Sequence, residues 1–192
     1  MVDTMLLVIG AVLVLGIFPC LPQSKGFFSK SGLTDTRRSL LGLCIFTFGG
    51  MIASVWTIII KNDLEATGAT QSCTSAGCSA LIGDYNWNTM PIIGIEWGLM
   101  GLLAFTILGL IALSLFLDES NSSWVHSWIN AGTIISGAGL VPVAWLVSVE
   151  LFLHEDAVII CPFCTLAHIA AVLTFVLFFI LRKKHDNGSW NT

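Results

Sequence analysis

Cys161-Pro162-Phe163-Cys164 opens an apolar run that reaches Leu181 and stops at Arg182-Lys183-Lys184. Twenty-one residues at about 1.5 Å each make about 31 Å, one hydrocarbon core. The stretch therefore reads as a membrane-spanning helix with two thiols at its mouth. Pro162 suits the first helical position, where its missing N–H would be unsatisfied anyway. That makes Cys161 the N-cap, with unpaired backbone N–H groups and the positive end of the helix dipole facing its sulfur. Cys164, three residues on, falls on the same face but deeper. One sulfur is expected to face water and the other the apolar interior.

The composition agrees. Of 192 residues, 55% are hydrophobic and 10% charged, and the mean hydropathy is +0.87. Such a chain is an integral membrane protein rather than a soluble globule. Its length suits one compact bundle without a sizeable soluble domain. A net charge of −4 argues against nucleic acid as a partner.

Five spanning helices are expected. The first apolar run, Met5 to Leu21, has no basic residue before it and no small-residue cleavage site, so it reads as a short spanning helix rather than a signal peptide. After a polar loop, Thr36 or Ser39 is expected to cap a second helix over about Leu40 to Ile60, which contains Cys44 and Trp56. Residues 61–89 form a long polar segment with Cys73 and Cys78, and such a loop is more often functional than idle. The third helix is expected over about Met90 to Leu117, with Gly94, Gly98 and Gly101 allowing close packing. The fourth covers about Ser127 to Leu153, and His154-Glu155-Asp156 links it to the fifth. No internal repeat or low-complexity segment is present.

With five alternating helices, seven of the eight basic residues fall on one side, and only Lys61 on the other. The basic side is expected to be cytoplasmic. The Cys73/Cys78 segment and the Cys161 helix mouth then share the exocytoplasmic side, where disulfides are made and kept. The glycosylation patterns at Asn121-Ser122-Ser123 and Asn187-Gly188-Ser189 fall on the cytoplasmic side and are set aside.

Four cysteines are candidates for redox chemistry. Cys161 and Cys164 have redox spacing, a helix N-terminal position and an oxidising compartment; the alternative is two packed thiols. Cys73 and Cys78 read either as a structural staple or as a shuttle that carries a disulfide to the helix mouth by thiol exchange. All four could instead hold zinc, an uncommon choice on an oxidising face. Cys20 and Cys44 have no close partner in sequence and read as packing residues. His168 lies one turn beyond Cys164 and reads either as a packed histidine or as a donor to a quinone carbonyl. Trp97, Trp145, Phe163 and Leu166 are candidates for an apolar pocket beside Cys164, against a reading as lipid-facing or packing residues. Glu96 and Glu150 lie in apolar surroundings, where a functional role and structural pairing are both open.

The chain resembles the vitamin K epoxide reductase family. The likeness rests on Val149-Glu150-Leu151-Phe152-Leu153, a short linker, then Ile160-Cys161-Pro162-Phe163-Cys164-Thr165, and it extends to Cys73/Cys78 and to the segment from Pro91 to Gly101. It covers about Leu40 to Leu181. It implies a four-helix transmembrane bundle around a quinone (residues 40–181), with 5–21 as one additional N-terminal helix of a single membrane domain. It further implies that Cys164 is the quinone-side thiol, that Cys161 exchanges with Cys78, and that a thioredoxin-like partner attacks Cys73. Members of the vertebrate type have a quinone-binding tyrosine where this chain has His168. Many bacterial relatives carry a fused thioredoxin-like domain; here a separate periplasmic or extracytoplasmic partner is expected.

The expected function is thus a quinone-dependent thiol–disulfide oxidoreductase that supports disulfide formation. Its acceptor is ubiquinone, menaquinone or a similar quinone, and no metal is expected. A C-terminus without a retrieval signal points to a prokaryotic cytoplasmic membrane. The rival reading is a cysteine-based metal-binding or metal-transport membrane protein.

Overall fold

The computed structural model describes residues 2–29, 32–68, 76–118, 123–153 and 159–190. Among these residues the chain is helical between turns, and one isolated bridge, Thr89 to Glu96, is its β pairing. The helices are α1 (Val2–Ile17), α2 (Lys25–Ser29), α3 (Asp35–Thr67), α4 (Ala76–Ile82), α5 (Tyr85–Asn88), α6 (Trp97–Leu117), α7 (Ser123–Ser148) and α8 (Pro162–Asp186). Among the described residues four spans are long and apolar enough to cross a membrane: α3, α6, α8, and α7 together with its π-helical extension Val149–Leu153. The segment Thr4–Cys20 forms a fifth candidate with Pro22–Phe28, the two bent by 71°. The protein is an all-α integral membrane bundle.

α3 is the axis. It packs against α1, α6 and α8, and α7 closes the bundle against α6 and α8. It is also longer than its apolar run suggests. Thr34 caps it, rather than Thr36 or Ser39: the Thr34 hydroxyl accepts the Arg37 N–H at 3.3 Å, and Asp35 complements the dipole. The Ser39 hydroxyl instead donates back to the Asp35 carbonyl at 3.0 Å. At the other end Gly68 adopts φ +69° and closes the helix on the Leu64 carbonyl.

The segment 61–89 is not simply a polar loop. α3 fills its start, and α4 and α5 sit over the end of the bundle. α6 begins at Trp97, later than the apolar run suggests, because Met90 to Gly94 folds into a turn. Gly94 takes φ +69° there, and its N–H donates to the Met90 carbonyl at 2.8 Å. Gly98 and Gly101 do set α6 close to α3. A Cβ at either would lie under 3 Å from the Thr57 or Ser54 hydroxyl.

The two ends of the bundle differ in charge. At one, buried Arg38 donates to the Ser24 hydroxyl at 2.9 Å and pairs with Asp35 at 2.6 Å, fixing the turn after α1 to the start of α3. Lys184 joins the last turn of α8 to the same place through the Asp35 carbonyl and the Ser39 hydroxyl. At the opposite end Lys61 pairs with Glu96 and, at 3.2 Å, with Glu65. Structural pairing therefore accounts for Glu96. The cysteines of α4 and α8 lie at this second end.

Candidate functional site

The site forms where α4 crosses the N-terminus of α8. The Cys78 and Cys161 sulfurs are 3.6 Å apart, and both residues are fully buried. Cys78 is disulfide-bonded, whereas Cys161 and Cys164 are free thiols. Cys73 lies outside the described residues, as do its neighbours Ser72, Thr74 and Ser75 and the 154–158 linker.

Gly77 makes the approach possible. A Cβ there would overlap the Ile160 carbonyl oxygen and lie 2.8 Å from the Ile160 carbonyl carbon. Glycine is the residue that fits this contact. In the structure it allows two backbones to touch one residue away from the two sulfurs.

Cys161 caps α8, with Pro162 at the first helical position. Its sulfur accepts the Cys164 N–H at 3.4 Å, and the two thiols hydrogen-bond each other. The Thr165 N–H and hydroxyl both donate to the Cys161 carbonyl, at 2.9 and 3.0 Å. The expectation that Cys161 faces water needs correction. It is fully buried, with Cys78 of α4 against its sulfur. The outer sulfur thus meets another cysteine before it meets solvent.

Glu150 holds the approach to Cys161 in place. Its carboxylate accepts the Cys161 backbone N–H, and its carbonyl accepts the Ile159 N–H at 3.0 Å. The π-helical widening at Val149–Leu153 places both groups against the incoming strand of chain.

The candidate quinone residues separate into two places. His168 lines a groove of about 420 Å³ between the α7 span and α8, with Glu150, Thr165, Val147, Ile169 and Val172. That volume lies within the usual range for small-molecule sites. Ile160, Ile169 and Val172 on its wall are exposed, so the groove opens sideways. Phe163 instead turns into the bundle and packs on Trp56, with ring centroids 6.3 Å apart. Leu166 packs beside the same core. The Trp97 indole donates to the Trp87 carbonyl at 3.1 Å and fixes the start of α6 under α5. Trp145 is exposed.

Trp56 is the residue the sequence reading passed over. Its indole N–H is buried without a hydrogen-bond partner, beside the phenyl ring that precedes Cys164. The sequence places it in the second helix, but no local pattern relates it to a residue more than a hundred positions away. In this state Cys78 is disulfide-bonded and offers no thiolate to a metal.

No curated protein matches the chain, and neither does any solved structure. The sequence profile of the vitamin K epoxide reductase family matches residues 41–179, from the first turns of α3 almost to the end of α8. That stretch takes in the α4–α8 crossing, the four spans and every cysteine of the two close pairs, and it is most of the chain: the protein belongs to the vitamin K epoxide reductase family.

Proposed function

We propose that this membrane oxidoreductase passes electrons from a separate thioredoxin-like partner, through Cys73/Cys78 and Cys161/Cys164, to a membrane quinone. The observation that carries the reading is the 3.6 Å separation of the Cys78 and Cys161 sulfurs at the head of a spanning helix. A thiolate of the reduced partner attacks Cys73 and Cys78 leaves as a thiolate; the partner's second thiol then resolves that mixed disulfide, releasing Cys73 as a thiolate and the partner in its oxidised form. Cys78 then attacks Cys161 of an oxidised Cys161–Cys164 pair, and Cys164 leaves as a thiolate. Cys73 resolves the mixed disulfide and releases Cys161. The pairing in the structure, Cys78 oxidised beside two free thiols, matches the state after this exchange. Cys164 and Cys161 then close their disulfide, and two electrons and two protons leave to give the hydroquinone.

Each exchange is a two-electron step, so ~30 mV between successive couples shifts its equilibrium about tenfold. A quinone more oxidising than the protein disulfides pulls the sequence forward. Cys164, the deeper cysteine of its pair, is the quinone-side sulfur. The lateral groove admits an apolar quinone from the lipid, with His168 as a polar group on its wall. Phe163, Leu166 and Trp97 stand away from this groove and are candidates only for a quinone reached from the bundle side. The charge distribution supports a cytoplasmic basic end and an exocytoplasmic cysteine end.

The test is quinone reduction by the purified protein in detergent, with dithiothreitol as donor and ubiquinone and menaquinone analogues as acceptors. Wild type should turn over and Cys164→Ala should not. Quinone reduction retained in Cys164→Ala would sink the proposal.

A further inference from the structure

At the other end of α8, about 32 Å from Cys164 at 1.5 Å per residue, three metal-ligating side chains converge. We propose that His126, His185 and Asp186 form a site for a zinc-class divalent transition metal that clips α7 to α8. The ligand atoms lie within 4.8 Å of one another. His126 Nδ1 and His185 Nδ1 are 3.4 Å apart. Two nitrogens bound tetrahedrally at about 2.05 Å from zinc are separated by about 3.3 Å. The two rings therefore already stand at ligand spacing. Asp186 Oδ1 is 3.9 Å from His126 Nδ1, so a side-chain rotation of about half an ångström completes a three-ligand face. The fourth position opens to solvent, since His126 and Asp186 are exposed.

The surroundings hold the ligands in the required form. The Asn130 amide lies 2.8 Å from His126 Nε2, and its Oδ1 is buried without a partner. A half-turn of this amide lets Oδ1 accept a proton on Nε2, which satisfies the orphan oxygen and leaves the Nδ1 lone pair for the metal. Metal-bound histidines commonly have such a support on the second nitrogen. Arg182 Nε stands 3.9 Å from Asp186 Oδ2 and leaves Oδ1 turned to His126. Buried Trp190 packs edge-on against the His185 ring at 5.6 Å and restrains it. Nitrogen and carboxylate donors with an open position suit zinc, nickel or cobalt, and disfavour calcium and magnesium.

The test uses the full chain in detergent, without a polyhistidine tag and with its thiols alkylated, titrated with Co²⁺. Wild type should develop visible d–d bands of tetrahedral intensity without a thiolate-to-cobalt charge-transfer band, and Zn²⁺ should displace them. Asn130→Ala should weaken binding roughly 10–100-fold, the cost of losing a supporting group. His126→Ala and His185→Ala should each weaken it more. Circular dichroism of each variant reports that the helices are intact. No cobalt spectrum in wild type, or binding unchanged in both histidine variants, would overturn the proposal.

Discussion

Replacing Gly77 with alanine should slow exchange between Cys78 and Cys161 by about a hundredfold, because it forces α4 away from the head of α8. The new Cβ would stand 2.8 Å from the Ile160 carbonyl carbon. Carbon atoms pack at about 3.5–4.0 Å, so the backbones must part by about 1 Å. The sulfurs start 3.6 Å apart and must reach about 2.05 Å to bond. A misplacement of about 1 Å at such a contact costs on the order of a hundredfold in rate. The assay removes Cys20, Cys44, Cys73 and Cys164, oxidises the two remaining thiols with diamide, and follows the Cys78–Cys161 cross-link by mass-tagged electrophoresis. Alanine raises helix propensity by about 1 kcal/mol over glycine, so a weaker α4 cannot explain a slower reaction. Gly139→Ala, where nothing lies within 4 Å of the new Cβ, is the control and should leave the rate unchanged. Equal cross-linking with glycine and alanine at position 77 would refute the close-approach argument.

Trp56→Phe keeps a ring against Phe163 but removes the unpartnered N–H. It should stabilise the quinone-free protein by about 1–3 kcal/mol, the cost of a buried unsatisfied donor. If the quinone carbonyl meets that N–H, the quinone KM should rise about tenfold, equivalent to about 1.4 kcal/mol; thermal melts and quinone titrations read the two effects separately. Glu150→Ala leaves the Cys161 N–H without its acceptor and should cost about 1–3 kcal/mol of stability. Glu150→Gln keeps an accepting oxygen and should lose much less, which denaturation of the two variants side by side would check.

Much of this protein is legible in its sequence because membrane-spanning structure is a one-dimensional signal. Backbone polar groups in lipid must be satisfied within each segment, so an apolar run of sufficient length has to be a helix. The run after Cys161 and its Pro162 fixed the start of α8, while the helix continues past Leu181 through the basic residues to Asp186. The charge count likewise required the ends of α1 and α8 and the start of α3 to gather at one end, where Arg38 and Lys184 join them. Cys161 and Cys164 meet at the head of α8 as their spacing implies. Helix ends were less legible. α3 runs beyond its apolar core and α6 starts after its own, because caps and turns set those limits through local hydrogen bonds.

What only the tertiary structure decided is which side chains meet. Cys78 reaches Cys161 across 83 positions, and Gly77 permits it by lacking a Cβ, a property that matters only once Ile160 is packed against it. The same packing buries Cys161 and overturns its expected exposure to water. His168 and Phe163 share a helix but serve different surfaces, the lateral groove and the bundle interior, because five residues turn a helix by more than a quarter circle. His126 and His185 become neighbours only when α7 and α8 pack along their length. Sequence determines the length and polarity of each helix; the contacts between helices depend on register and rotation, and these are settled by close packing in three dimensions.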